Sequence, residues 1–200
     1  MNPLELRRCG PQGLVVSALG HGAAALGGGA PTDPALDETG VRTLEVAFEL
    51  GLRHVDTSPA YGQSERRLGI ALRRNEFAGM TVSTKVGTHP ERKFSYSAED
   101  VRWSLGRSLE VLGVDSVDVA FIHDPPEIER ALAPGDGFDA LRELQDEGLC
   151  RNVGLGVHAH AFHRTAIARG SVDVILTYGD LNIVRRSGAE LMEFAHEHGV

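Results

Sequence analysis

Four side chains able to move a proton stand at the ends of short apolar runs: Asp56, Tyr61, Lys85 and His123. Asp56 ends the run 52–56 and Tyr61 sits in the loop just after it. Lys85 ends 80–85, and His123 follows 117–122. A carboxylate, a phenol, an amine and an imidazole delivered this way make a proton-transfer site. Each also has a plainer explanation. Asp56 can cap the turn at Ser58-Pro59, Tyr61 can serve as an amphipathic rim residue, and Lys85 can snorkel from a strand end. His123 before Asp-Pro-Pro can be an ordinary loop histidine. Their shared placement at the ends of successive strands is what favours chemistry.

The elements that must carry them alternate in type. Strands are predicted at 14–19, 52–56, 80–85, 117–122, 153–157 and 172–176. The run 117–122 is nearly all apolar, as expected of a strand buried on both faces. Between them lie helical patterns. Asp37 or Thr39 is expected to cap a helix ending at Glu49, stopped by Gly51. Ser64 is expected to cap one through Arg73. Ser97 with Asp100 opens another through Leu112. Further helices follow on Phe138, Leu141 and Leu144, around 162–168, and over 189–198. Six alternations predict an α/β fold with a parallel sheet, in one domain over residues 1–200. Gly20, Gly22 and Ala25 match G-x-G-x-x-A, but Gly27-Gly28-Gly29 and Pro31 would break the helix that a pyrophosphate site needs.

Composition narrows the partners. The 200 residues carry a net charge of −8, with a pI near 5.6, which argues against nucleic acid and against an anionic membrane surface. No apolar run is long enough for a membrane span. Arg7-Arg8 ahead of the apolar 14–29 has the order of a secretory signal, yet Gly10, Pro11, Gly13, His21 and Gly22 interrupt it. Cys9 and Cys150 match no ligand spacing and are expected to be reduced thiols of a cytoplasmic protein.

The strings around the four residues resemble those of the aldo-keto reductases. They are His54-Val55-Asp56-Thr57-Ser58-Pro59-Ala60-Tyr61-Gly62, then Ser64-Glu65 and Leu68-Gly69, then Ser83-Thr84-Lys85-Val86-Gly87. Leu112-Gly113-Val114-Asp115 and Val117-Asp118 precede His123 in the family's manner, and the likeness runs from Gly13 onwards. His123-Asp124-Pro125 is most similar to the family's bacterial and plant sugar dehydrogenases, those acting on galactose or fucose. The resemblance implies a (β/α)8 TIM-barrel fold, NADP or NAD as cofactor, and hydride transfer to or from a small carbonyl or sugar hemiacetal. It also implies roles. Tyr61 would be the general acid or base, its pKa lowered by Lys85. Asp56 would keep Lys85 charged and oriented, and His123 would hydrogen-bond the substrate oxygen.

Two departures from the family follow. Its strand five commonly ends in Ser-Asn, which holds the nicotinamide carboxamide, and a glutamine commonly follows strand six. Here Gly156-Val157 and Tyr178 stand in those places, leaving His158 and Tyr178 as the implied cofactor contacts. The second departure is length. Six strands instead of eight imply a C-terminally truncated barrel, whose open edges at strands one and six offer a route to self-association. Two other readings stay open: an inactive remnant that only binds or oligomerises, and a metal-dependent β/α hydrolase using His123-Asp124 with His158, His160 and His163. The solvated-histidine reading is preferred to the second, so no metal is expected. A Ser-His-Asp hydrolase lacks its G-x-S-x-G elbow.

Overall fold

Six parallel strands in strict chain order form one curled sheet, and a small antiparallel hairpin precedes them. The computed structural model describes residues 4–30, 32–74 and 77–200; Pro31, expected above to break a helix, lies outside these. The hairpin is β1 (Leu6–Cys9) with β2 (Leu14–Ser17). The sheet runs β3 (His21–Gly22), β4 (His54–Asp56), β5 (Thr81–Val86), β6 (Val117–His123), β7 (Cys150–Gly156) and β8 (Val174–Leu176). Neighbours in sequence are neighbours in space throughout, the arrangement of a β/α barrel of which six strands are present.

The first expected strand needs correcting. Residues 14–17 pair back on 6–9 and do not join the parallel sheet. The barrel's first strand is His21–Gly22, inside the G-x-G pattern, and a 3-10 turn, Ala23–Gly27, follows it. That short turn is no platform for a pyrophosphate, in keeping with the rejection of the glycine motif.

The helices lie outside the sheet. α1 (Pro34–Glu49) starts earlier than expected, because Asp33 accepts from the amides of Ala35 and Leu36 and Pro34 pre-sets the first turn. α2 (Ser64–Arg74) begins at Ser64, which does not cap it. The Ser64 hydroxyl donates to the Ala23 carbonyl at 2.8 Å and meets Thr57 Oγ1 at 2.8 Å. α3 (Ala98–Leu112) is capped by Ser97 as expected and ends at Gly113 in the left-handed region. α4 (Ile128–Ala131), α5 (Gly137–Asp146), α6 (His160–Ala168) and α7 (Ala189–Glu197) complete the layer.

Two apolar clusters hold the assembly. The larger fills the space between sheet and helices, from Ala23 and Val41 through Leu105, Ile122 and Leu141 to Ala195. The smaller lies on the concave face, where Leu14 of the hairpin packs with Val119 and Phe121. Strand alternation sorts the residues between these faces. The register Lys85↔Phe121↔Gly154 sets Lys85 on the concave face with Phe121. Gly154 makes room there, since a Cβ on it would stand 2.5 Å from Phe121 Cε1. Among the described residues, no helix is long and apolar enough to cross a membrane.

Candidate active site

The site is built at the C-terminal ends of β4, β5, β6, β7 and β8. Its centre is Lys85, a lysine only 1% exposed. Parallel pairing aligns Asp56 with Ser83, and Lys85, two residues further along β5, lies on the same face. Lys85 Nζ donates to Asp56 Oδ2 at 2.6 Å and to the Thr57 carbonyl at 2.7 Å, while Ser83 Oγ donates to Asp56 Oδ1 at 2.7 Å. A buried ammonium needs this many acceptors to offset its lost hydration. Even so, burial dominates and lowers the Lys85 pKa, against the opposing pull of Asp56, Glu65 and Asp124.

Behind the sheet a second carboxylate approaches the same strand. Thr84 points the other way from Lys85, and its hydroxyl donates to Glu65 Oε1 in the first turn of α2 at 2.6 Å. Burial raises the Glu65 pKa, and the hydrogen bond from Thr84 and the charge of Lys85 oppose that rise.

Tyr61 reaches the site on a tight loop. Its amide donates to the Ser58 carbonyl at 3.0 Å, and the Ala60 amide donates to Ser58 Oγ at 3.1 Å. Gly27 packs directly against this loop. A Cβ on Gly27 would collide with the Tyr61 carbonyl, and Gly62, at φ +55°, meets the Gly27 carbonyl in turn. The glycine run read as a helix breaker is therefore a close-approach surface that seats Tyr61. The ring then lies edge-on to His123, centroids 5.9 Å apart, with Lys85 Nζ 4.7 Å from its own centroid.

That last geometry overturns an expectation. Lys85 was expected to lower the Tyr61 pKa. Instead the phenol is pushed up to about 12, first by burial and then by the charges of Asp56, Asp124 and Tyr178. The ammonium lies over the ring face, with donors already committed to Asp56 and Thr57.

His123 is fixed by two residues that the strand-end pattern did not reveal. Thr88 Oγ1 stands 2.6 Å from His123 Nδ1, and buried Tyr96 donates its hydroxyl to the His123 carbonyl at 2.8 Å. Nε2 is left facing the cavity side. Burial, with help from Lys85, drops the imidazole pKa to about 4, so the ring is neutral at physiological pH. Thr88 directly follows Gly87, the glycine closing the Lys85 segment, and no periodicity marks it. Tyr96 looks like any core aromatic.

Tyr61, Lys85 and His123 share one cavity of about 240 Å³ with Asp124, Gly156, Leu176 and Tyr178. Asp56 lies just behind it, paired to Lys85. All four proton-chemistry residues are thus brought together. Of the two implied cofactor contacts, Tyr178 lines the cavity and is 54% exposed. His158 lies beside it, the two rings tilted by 51° with centroids 5.2 Å apart, outside the cavity wall. The histidine cluster of the hydrolase reading does not assemble. His160 donates to Asp180, and buried His163 donates to the Val157 carbonyl at 2.8 Å. No three His, Cys, Asp or Glu side chains converge as a metal site among the described residues.

Comparison with known proteins identifies a family and a fold. A profile described as "Aldo/keto reductase family" matches residues 18–200. L-Galactose dehydrogenase of Arabidopsis thaliana is 35% identical over 209 residues, taking in 100% of this chain and 64% of its own length. D-threo-Aldose 1-dehydrogenase of a Pseudomonas species is 30% identical over 203 residues, 88% of this chain and 61% of its own length. The chain thus spans 61% to 64% of the length of these two relatives. Among solved structures, an aldo-keto reductase from Pseudomonas aeruginosa superposes with a TM-score of 0.84 at 29% identity, over 97% of this chain and 74% of that one. The holo form of one from Bacillus halodurans gives 0.80 at 27% identity, over 98% and 64%.

Proposed function

The chain belongs to the aldo/keto reductase family, and from that premise we propose that its strand-end site performs NAD(P)-dependent hydride transfer on a small carbonyl or sugar hemiacetal. We read residues 1–200 as one partial barrel domain carrying that site, with Asp56, Tyr61, Lys85 and His123 as its proton-handling residues. The observation that carries the reading is the buried Lys85 ammonium, held between Asp56 and Thr57 beneath the Tyr61 ring, with His123 completing the same cavity.

The cavity fits the reactive end of a nicotinamide cofactor. Leu176, Gly156 and the exposed ring of Tyr178 offer a flat, apolar wall on which a heteroaromatic ring can stack. Tyr178, backed by His158, would hold that ring. When bound, the cofactor supplies the hydride, which no protein side chain can. NAD and NADP both suit these residues.

The remaining chemistry falls to the chain. With its pKa near 12, Tyr61 keeps its proton at neutral pH and is set to act as an acid towards a carbonyl oxygen. His123, neutral and with Thr88 on Nδ1, can carry its proton on Nε2 and donate to the same oxygen. Two neutral donors aimed at one oxygen stabilise the negative charge that develops there. Lys85 keeps a positive charge beneath the phenol as the proton leaves, and Asp56 holds Lys85 in place.

Nicotinamide absorbance in the presence of aldehydes and aldoses tests the reading. Tyr61→Phe should lower turnover on the order of 10²- to 10⁴-fold, the usual contribution of a positioned acid, while leaving cofactor affinity nearly unchanged. Retained turnover would refute the role of Tyr61. A chain that binds neither NADH nor NADPH at millimolar concentration would refute the enzyme.

A further inference from the structure

Asp124 follows His123 directly and is one of two described non-glycine residues with positive φ, at +41°. Aspartate is among the few side chains that tolerate this region, and its neighbours hold it there. Its amide donates to the Gly156 carbonyl at 2.9 Å, extending the β6–β7 pairing by one residue, and Pro125-Pro126 stiffen the chain beyond it.

The bend sets the Asp124 side chain in the cavity wall beside Tyr61, Lys85 and Tyr178. Asp124 Oδ2 stands 3.5 Å from His123 Nε2, the ring nitrogen that Thr88 leaves free. The carboxylate is 42% exposed, and no hydrogen bond to it is made by the described residues. An ionised carboxylate offers about four acceptor sites. The Lys85 charge is already matched by Asp56 at 2.6 Å, so the Asp124 charge has no dedicated counter-ion. The Asp124 carboxylate is thus an acceptor with spare capacity, set beside the catalytic nitrogen and open to a donor from a bound molecule.

We propose that Asp124 determines substrate class: it accepts hydrogen bonds from the hydroxyls of a neutral, polyhydroxylated substrate and repels substrates that carry a carboxylate. This rests on the reading of the cavity as the catalytic site, and deepens it from carbonyl compounds in general to uncharged sugars. A hydroxyl next to the reacting carbon, placed against Asp124, would orient that carbon beneath His123 and Tyr61. A carboxylate elsewhere on the same small sugar would still lie within a Debye length, about 8 Å, of the Asp124 charge and be repelled.

Galactose and galacturonate of the same hand, alike except for one carboxylate, are the probes. Binding is followed by NMR titration of the protein, and turnover by nicotinamide absorbance with NAD and NADP. For the wild-type chain, galacturonate should bind about ten-fold or more weakly than galactose. Asp124→Asn keeps the shape and tolerates positive φ. It should weaken galactose about ten-fold, as expected for losing a bond to a charged acceptor, and should bring the two sugars level. Circular dichroism of the variant checks that it folds. Equal binding of the two sugars by the wild type, binding of neither, or an undiminished preference in the variant would overturn the inference. Turnover of both sugars at equal efficiency would overturn it while leaving the oxidoreductase reading intact. A preference for galactose in binding without turnover would support the charge filter and sink the oxidoreductase reading instead.

Discussion

Acid should destabilise this protein through His123, and by an amount its surroundings allow to be worked out. The imidazole titrates at about 4 in the folded chain, against 6.5 when unperturbed. Between those values the unfolded chain binds a proton that the folded chain refuses, so stability falls as pH drops from 6.5 towards 4 and levels off below. Each pH unit inside that window costs about 1.4 kcal/mol. Going from pH 6.5 to pH 5 therefore removes about 2 kcal/mol, a large share of a typical domain's margin. The side chain is only 12% exposed, so solvent screening reduces this little. Other groups titrate nearby: burial also lowers the pKa of His54 and of His163. The effect of His123 must hence be isolated by difference. Urea unfolding of wild type and His123→Gln at near-neutral pH and about pH 5 should show the wild type losing about 2 kcal/mol more than the variant. Equal losses, or an NMR titration placing the His123 ring near 6.5, would refute both the burial and the neutral-donor role that depends on it.

Removing one member of the central ion pair should cost more than removing both. Lys85→Met strands the Asp56 carboxylate and should lose about 3 kcal/mol, whereas Lys85→Met with Asp56→Asn should recover part of it, as read from denaturant midpoints. Additive losses would show that the two charges are not coupled. Gly27→Ala drives a methyl into the Tyr61 carbonyl and should lower turnover through a displaced phenol; near-normal activity would mean the loop has another seat. Tyr96→Phe loses the bond to the His123 carbonyl, for about 1 kcal/mol of stability. An unchanged unfolding midpoint would discount that bond.

The positions of Asp56, Lys85 and His123 were legible because each ends an apolar run, with Tyr61 in the loop after the first, and in a parallel sheet every run ends on the same side. The run 117–122 and the Ser97 cap were equally plain, since a buried strand and a capping box leave strong local patterns. What failed was non-local. Residues 14–17 look like a barrel strand until their partner Leu6–Cys9, half of it arginine, is seen to pair with them. Ser64 has the form of a cap, yet its hydroxyl is drawn to Ala23, 41 residues back. The direction of the Tyr61 shift turned on how far the phenol is buried and on the carboxylates around it, which no local pattern reveals. Neither Thr88 nor Asp124 could be assigned, because their significance lies in a contact with one ring nitrogen.

The Thr84–Glu65 bond on the helix side of β5 has a consequence for fidelity of assembly. Side chains alternate along a strand, so a one-residue slip of β5 against β4 would exchange the faces of Thr84 and Lys85. The misplaced lysine would then find a carboxylate waiting in Glu65, as attractive in charge as Asp56. Such a slipped state would be well paired and chemically mute. Only the native register gives Glu65 its threonine and Asp56 its lysine together, so the two bonds jointly favour the pairing in which the amine arrives on the cavity side.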